Sequence, residues 1–129
     1  MRETILVVDD EPFVLNAVCG ILRHAGYEVL RAGTPAEALR IGYQHTGPIH
    51  LLLSDVILPE MSGPTMADRY REIHPESVPL FMAGMPDHPE VVGKILERGR
   101  AFLPKPFCAN TLLDKIADAL KGTAGELVA

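Results

Sequence analysis

The sequence predicts an α/β domain built on a doubly wound parallel sheet. Three observations support this fold class: five short apolar runs are spaced along the chain, helical periodicity fills the segments between them, and helix start and stop signals fall at the junctions. A strict alternation of strand and helix, repeated five times, is typical of such a sheet.

The five apolar runs predict five strands. The first, third and fourth runs are almost continuously apolar, as expected for strands that helices cover on both faces. The predicted strands are TILVV at 4–8, YEVLRA at 27–32, HLLLS at 50–54, PLFMA at 79–83 and RAFL at 100–103.

Five helices are predicted from apolar residues that recur at helical spacing. In chain order these residues are Val14, Ala17, Val18, Ile21 and Leu22; Ala36 and Leu39; Met66, Tyr70 and Ile73; Val92, Ile95 and Leu96; and Leu112, Leu113, Ile116 and Leu120. Thr34, followed by Pro35, and Ser62 are suited to start the second and third helices. Gly26 and Gly99 lie where helices should end.

Length and composition predict one compact domain. A chain of 129 residues with 47% hydrophobic content can bury a core without disulfides or a structural metal. Its two cysteines, Cys19 and Cys108, form no Cys-x-x-Cys pair, which favours a reducing, cytoplasmic setting. We expect the domain to span residues 1–121, and the small-residue-rich tail 122–129 to fray.

Charge and hydropathy bear on the classes of partner. The net charge is −5 and the twelve Lys and Arg residues are scattered, so direct nucleic-acid binding is not expected. No apolar run approaches the roughly 18 residues that span a bilayer, and the N-terminus lacks a signal-type segment. We therefore expect no membrane association.

Charged side chains follow three of the predicted strands. Asp9 and Asp10 follow the first strand, Asp55 the third and Lys105 the fifth. Ligands of open parallel sheets gather beyond the carboxyl ends of the strands. If the first and third strands are neighbours, about 4.8 Å apart, their carboxylates converge. One ammonium group leaves a residual charge of about −2, which favours a hard divalent cation such as Mg²⁺.

The motifs "LVVDDEP", "LLLSDVILPEMSG" and "FLPKPF" resemble, in order and spacing, the receiver domain of two-component response regulators. The resemblance covers essentially the whole chain. It implies a flavodoxin-like (βα)5 fold, a three-layer sandwich whose five-stranded parallel sheet has the order 2-1-3-4-5.

The resemblance also implies roles for the charged residues. Asp55 would be the phosphoacceptor, whose carboxylate attacks the phosphohistidine of a sensor histidine kinase or phosphotransfer protein. Asp10, Asp55 and the backbone carbonyl of Ile57 would bind Mg²⁺ directly, and Asp9 would act through a metal-bound water. Lys105 would pair with a phosphoryl oxygen.

One position departs from the family pattern. Where receivers usually place Ser or Thr at the end of the fourth strand, this chain has Ala83, which offers no hydroxyl. A hydrogen bond to a charged acceptor contributes about 1.5–3 kcal/mol, comparable with a typical coupling energy of about 1–3 kcal/mol between sites. We therefore expect a weakened switch. Phe102 matches the aromatic switch position, and the Lys105–Pro106 peptide bond is expected to be cis.

The predicted output is a change in the surface formed by the fourth helix, the fifth strand and the fifth helix. That surface would bind a downstream partner, with the chain a monomer or a dimer formed on activation.

Three alternatives remain beside this interpretation. Ala83 favours a degenerate receiver that binds partners without being phosphorylated. A Mg²⁺-dependent phosphohydrolase of the haloacid dehalogenase type also uses an aspartate nucleophile, but it requires Asp-x-Asp and a cap domain. A flavin module would need a Ser/Thr/Gly-rich phosphate loop after the first strand, where "DDEPF" would repel phosphate.

Several residues have plainer interpretations. An acid pair such as Asp9 and Asp10 at the end of a strand often only offsets a helix dipole. The five histidines, which are His24, His45, His50, His74 and His88, show no metal-ligand spacing and are expected to be structural or solvated. Cys19 is predicted to be a core residue, and Cys108 to occupy a helix-cap position.

Overall fold

The computed structural model describes residues 2–84, 90, 93, 95 and 101–128. Its five strands form one parallel sheet in the order β2-β1-β3-β4-β5, which confirms the predicted fold class and strand order. The strands are β1 (Thr4–Val8), β2 (Glu28–Ala32), β3 (Leu51–Asp55), β4 (Val78–Gly84) and β5 (Ala101–Lys105). The helices whose bounds lie within the described residues are α1 (Pro12–His24), α2 (Pro35–Gln44), α3 (Gly63–Ile73) and a C-terminal helix (Ala109–Val128).

Helices cover both faces of the sheet and create two hydrophobic cores. Successive residues of β1 point to opposite faces, so Ile5 and Val7 join one core while Leu6 and Val8 join the other. The first core also contains residues of α1 and the C-terminal helix, and the second contains residues of α2 and α3. All five residues of β1 are buried, which agrees with its almost continuously apolar sequence.

The helix termini follow the signals in the sequence. Thr34 accepts a hydrogen bond from the Glu37 N–H at 3.1 Å, and Ser62 accepts one from the Thr65 N–H at 3.2 Å, so each caps its helix. Gly26 follows α1 with φ of +100°, a conformation that glycine adopts readily.

The predicted fourth helix falls mostly outside the described residues. Val92, Leu96 and the predicted helix end at Gly99 lie there, whereas Glu90, Gly93 and Ile95 are helical. Ile95 is buried in the same core as α2 and α3.

Three strands, β3, β4 and β5, continue further than their apolar runs indicate, and two of them end on a charged residue. Asp55 is the last residue of β3 and is in register with Met82, and Lys105 is the last residue of β5, in register with Gly84. Backbone pairing does not depend on side-chain polarity, so these strands extend past the point where their side chains leave the core. As a result, both charged residues project from the rigid sheet.

The C-terminal helix also extends past a predicted boundary. Its bounds include residues 122–128, the segment that the sequence predicts as a tail. The fraying of this tail stays a prediction. Among the described residues, no helix has both the length and the apolar character needed to cross a bilayer.

Candidate functional site

Three carboxylates meet at the carboxyl ends of β1 and β3. One oxygen from each of Asp9, Asp10 and Asp55 lies within 4.8 Å of the others, and we call these three residues the acidic cluster. Because β1 and β3 are hydrogen-bonded neighbours, the residues at their ends lie side by side. Asp9 is buried, Asp55 is half-buried and Asp10 is exposed, so the cluster opens to solvent on the Asp10 side.

Lys105 reaches the acidic cluster from β5. Its Nζ donates to Asp55 Oδ2 at 2.9 Å and to Asp9 Oδ2 at 3.4 Å. Burial alone would lower the pKa of Lys105, but the hydrogen bond and charge of Asp55, followed by those of Asp9, raise it. The lysine is therefore held as a cation. Its side chain crosses the end of β4 to connect β5 with Asp55 on β3.

Asp9 is the least solvent-exposed residue of the acidic cluster. Burial raises its pKa, the nearby Asp55 charge adds to that effect, and the Glu11 N–H and Lys105 oppose it. The Glu11 N–H donates to Asp9 Oδ1 at 2.9 Å. Glu11 thus contributes a backbone donor to the site, and its side chain does not cap α1.

The main chain on both sides of Asp55 shapes its position. The Ile57 N–H donates to Asp55 Oδ1 at 3.3 Å, and Ser54 Oγ donates to the Asp55 carbonyl oxygen at 2.9 Å. Gly63, the first residue of α3, also lies against that carbonyl. The sequence does not predict the contacts that Ser54 and Gly63 make with the Asp55 carbonyl. The one related signal in the sequence is a glycine directly after the cap residue Ser62.

A family comparison identifies the domain that carries this arrangement. The family model described as "Response regulator receiver domain" matches residues 5–117. The chain belongs to this family. The resemblance inferred from the sequence motifs is therefore confirmed, and the receiver domain is a signalling domain of two-component systems.

Individual relatives agree with the family match. The receiver domain is 32% identical, over 92% of its length, to the sensor kinase CckA of Brucella abortus, of which it spans 12%. It is 29% identical to the chemotaxis protein CheY of Bacillus subtilis, covering 93% of this chain and 99% of that protein. A CheY-like receiver domain structure from Methanospirillum hungatei superposes with a TM-score of 0.85 at 29% identity, covering 98% and 99% of the two chains.

The lengths of these relatives differ widely. The chain spans 12% of the sensor kinase and 24% of HoxA, a hydrogenase transcriptional regulatory protein of Bradyrhizobium diazoefficiens, but nearly all of the chemotaxis protein. Receiver domains therefore occur both inside larger proteins and as almost the entire chain.

The donor set of the receiver domain fits a hard divalent cation. Three carboxylates supply only oxygen ligands, which Mg²⁺ prefers, and Lys105 balances a single negative charge. Ile57 lies two residues after Asp55, with its side chain 41% exposed and its N–H directed at the Asp55 carboxylate. The acidic cluster could therefore bind a metal ion.

The two predicted switch residues lie on neighbouring strands. Ala83, on β4, is buried and in register with Pro104 of β5. Phe102 is in register with Phe81 and packs, partly buried, against the core that contains Ala83. The Lys105–Pro106 peptide bond is cis.

Proposed function

We propose that the receiver domain accepts a phosphoryl group on Asp55 from the phosphohistidine of a sensor histidine kinase or phosphotransfer protein. The observation that carries this proposal is the placement of the Asp55 carboxylate. It lies at the end of a central strand, 2.9 Å from Lys105 and beside two further carboxylates. Phosphoryl transfer depends mainly on positioning and charge neutralisation, and these are the two properties of this site.

The transfer replaces a P–N bond of the donor with a P–O bond to Asp55. An Asp55 carboxylate oxygen forms a bond to phosphorus while the P–N bond breaks, and the electron pair of that bond stays on the imidazole nitrogen, which takes up a proton from solvent water. The Lys105 ammonium, freed from its contact with Asp55 Oδ2, then pairs with a phosphoryl oxygen. The product is an aspartyl phosphate.

The acidic cluster supports this reaction by holding Mg²⁺. Asp10, Asp55 and the carbonyl oxygen of Ile57 would be direct ligands, and Asp9, the most buried acid, would act through a metal-bound water. When bound, the ion neutralises charge that develops on the phosphoryl oxygens. We place the reaction in the cytoplasm, because both cysteines of the chain are free thiols.

The test is formation of an adduct that depends on Asp55. We expect incubation with acetyl phosphate or a fluoroberyllate mimic, each with Mg²⁺, to give one adduct by intact-mass measurement. Asp55→Asn should remove the adduct, whereas the control Asp118→Asn, on the exposed face of the C-terminal helix, should retain it. An unmodified wild-type chain, or an adduct that survives in Asp55→Asn, contradicts the proposal.

The proposed output is a changed surface around β5, the C-terminal helix and the predicted fourth helix, of which the structure describes Glu90, Gly93 and Ile95. Phe102 would move in response to the phosphoryl group. Ala83 cannot donate a hydrogen bond to that group, so phosphorylation and surface change are coupled more weakly than with a hydroxyl at this position. The surface would bind a downstream partner, with the chain a monomer or a dimer formed on activation.

Ala83 also favours a second candidate function, a phosphorylation-independent interaction module. The two functions differ in how the surface responds to the fluoroberyllate mimic with Mg²⁺. The phosphoacceptor function predicts chemical-shift changes in β5 and the C-terminal helix that become larger in Ala83→Thr. A phosphorylation-independent interaction module predicts no chemical-shift change in the wild type or in Ala83→Thr.

A further inference from the structure

The first residue of α3 lies against the main chain of Asp55. A Cβ atom on Gly63 would overlap the Asp55 carbonyl oxygen and would lie 3.1 Å from the carbonyl carbon and 3.2 Å from Ser54 Oγ. The obstruction is backbone, which cannot rotate away as the end of a flexible side chain can. Any larger residue at position 63 must therefore displace either α3 or Asp55.

Hydrogen bonds hold the same stretch of main chain from other directions. Ser54, which is fully buried, donates its hydroxyl to the Asp55 carbonyl oxygen at 2.9 Å. The Gly63 N–H donates to the Val56 carbonyl at 2.7 Å, and the Val56 N–H donates to the Met82 carbonyl at 2.9 Å. The peptide group that follows Asp55 is thus fixed between β4 and the start of α3.

The position of the Asp55 carboxylate depends on this main chain. An aspartate side chain has only two rotatable bonds, so its oxygens follow a displacement of its backbone. Those oxygens now accept from the Ile57 N–H at 3.3 Å and from Lys105 Nζ at 2.9 Å. A misplacement of about 1 Å at a reacting group can slow a reaction by about 100-fold.

We propose that Gly63 and Ser54 are positioning residues for phosphoryl transfer to Asp55. Gly63 allows α3 to press directly on the Asp55 carbonyl, and Ser54 holds that carbonyl from within the sheet. Neither residue touches the reacting carboxylate, so each acts through the Asp55 main chain. The inference rests on the proposed function, since it assigns these residues to that reaction.

The sharpest experiment compares Gly63→Ala with Gly42→Ala. Gly42 is also a close-packed helical glycine, because a Cβ there would lie 3.1 Å from Tyr70 Cε2. Its neighbour is a side chain, and it lies on α2 next to His74, beyond the last residue of α3. Urea denaturation establishes that each variant is folded. The rate of adduct formation from acetyl phosphate at saturating Mg²⁺ then separates positioning from general stability.

We expect Gly63→Ala to form the adduct about 100-fold more slowly than the wild type and Gly42→Ala to stay within about twofold of it. Ser54→Ala, which removes one hydrogen bond and adds no atom, should be slower by about tenfold. This variant keeps the proposal testable if Gly63→Ala does not fold. Wild-type rates in both Gly63→Ala and Ser54→Ala would overturn the proposal.

Crystal structures of the variants distinguish this inference from the proposed function. The distance between Lys105 Nζ and Asp55 Oδ2 should lengthen in Gly63→Ala and stay near the present 2.9 Å in Gly42→Ala. An unchanged distance in Gly63→Ala overturns the positioning role. A wild-type chain that forms no adduct overturns the proposed function, and the crystallographic distance still decides whether Gly63 positions Asp55.

Discussion

The polar groups at the two ends of the parallel sheet are arranged in opposite ways. At the carboxyl end, Asp9, Asp10 and Asp55 crowd together, and Lys105 contacts two of them. At the amino end, His50, His74 and Glu76 tie strands and helices together through matched donors and acceptors. The first arrangement concentrates like charge, and the second satisfies buried backbone groups.

The amino end forms a connected set of hydrogen bonds, which we call the amino-end network. Glu76 Oε2 accepts from the Ile49 N–H at 2.9 Å and lies 2.8 Å from His74 Nδ1. The other ring nitrogen, Nε2, lies 2.8 Å from the Gly42 carbonyl oxygen. The network also includes His50, whose Nδ1 accepts from the Thr4 N–H at 2.9 Å.

The two histidines of the network make different kinds of hydrogen bond. Both ring nitrogens of His74 lie at hydrogen-bond distance from oxygen atoms, those of the Glu76 carboxylate and the Gly42 carbonyl. His50 accepts a backbone N–H through Nδ1, which requires that this nitrogen carry no proton. His50 and His74 are therefore structural residues, which is one of the two roles that the sequence predicts for the histidines.

This contrast teaches where the domain gains stability and where it gives stability up. Paired buried groups at the amino end stabilise the fold, because leaving a buried donor or acceptor unpaired costs about 1–3 kcal/mol. At the carboxyl end, the burial of Asp9 beside Asp55 opposes folding, and the acidic cluster that results could bind a metal ion. Four variants test the contrast.

The largest effect is expected from His74→Ala. The change leaves the Gly42 carbonyl unpaired, removes one partner of Glu76 and deletes a ring stacked on Tyr70 with centroids 5.6 Å apart. We expect the free energy of unfolding to fall by about 2–3 kcal/mol in urea denaturation at neutral pH. His24→Ala, at an exposed helix end, is the control and should change stability by less than about 0.5 kcal/mol. Equal effects of His74→Ala and His24→Ala would show that the amino-end network does not stabilise the fold.

Asp9→Asn should have the opposite sign. Burial disfavours the charged form of Asp9, and Asn retains an oxygen that can accept from the Glu11 N–H. We expect a gain of about 0.5–2 kcal/mol in unfolding free energy without Mg²⁺, together with weaker Mg²⁺ binding by titration. Asp118→Asn is the matched control for the change of charge. A less stable Asp9→Asn variant would mean that attraction to Lys105 outweighs the burial of Asp9.

Glu60 adds backbone strain to the carboxyl end. It lies in the loop after Asp55 with φ of +72°, a left-handed conformation that disfavours residues with a Cβ. Glu60→Gly should raise the unfolding free energy by about 0.5–1 kcal/mol, after the entropic cost of glycine is subtracted. Glu60→Ala retains the strain and should show no such gain. Equal gains in the two variants would point to loss of the carboxylate as the cause.

The smallest effect concerns pH. Burial would raise the pKa of Glu76, but hydrogen bonds from the Ile49 N–H and His74 lower it below its usual 4.5. Glu76 therefore stabilises the fold at pH values above its usual pKa of 4.5. This contribution disappears as the pH falls through the lowered pKa of the folded state. The raised pKa of Asp9 has the opposite sign, since its unfavourable contribution grows as the pH rises from its usual 3.8.

Urea midpoints measured from about pH 3 to pH 6 check this difference. Glu76→Gln should flatten the loss of stability in acid, and Asp9→Asn should steepen it. The Glu76 contribution is expected to be below about 0.5 kcal/mol, because solvent screens this exposed side chain. Identical pH profiles in the two variants would contradict the assignment of opposite signs.

Much of the fold follows from local patterns. The apolar runs place all five strands to within a few residues, and Thr34 and Ser62 mark helix starts correctly because their caps involve residues only three positions away. The ends of β3 and β5 are less accurate, since backbone pairing with β4 carries each strand on to Asp55 and Lys105.

The sequence by itself determined the order of strands and helices and the presence of carboxylates and a lysine at strand ends. Periodicity and capping act within a few residues, so a linear pattern contains them. Only the tertiary structure decided the partners: Lys105 with Asp9, 96 residues apart, and His74 with Gly42, 32 residues apart. It also brought Gly63 against the Asp55 carbonyl. Such contacts depend on how α3 and the strands pack, to a fraction of an ångström, and a linear pattern does not contain that information.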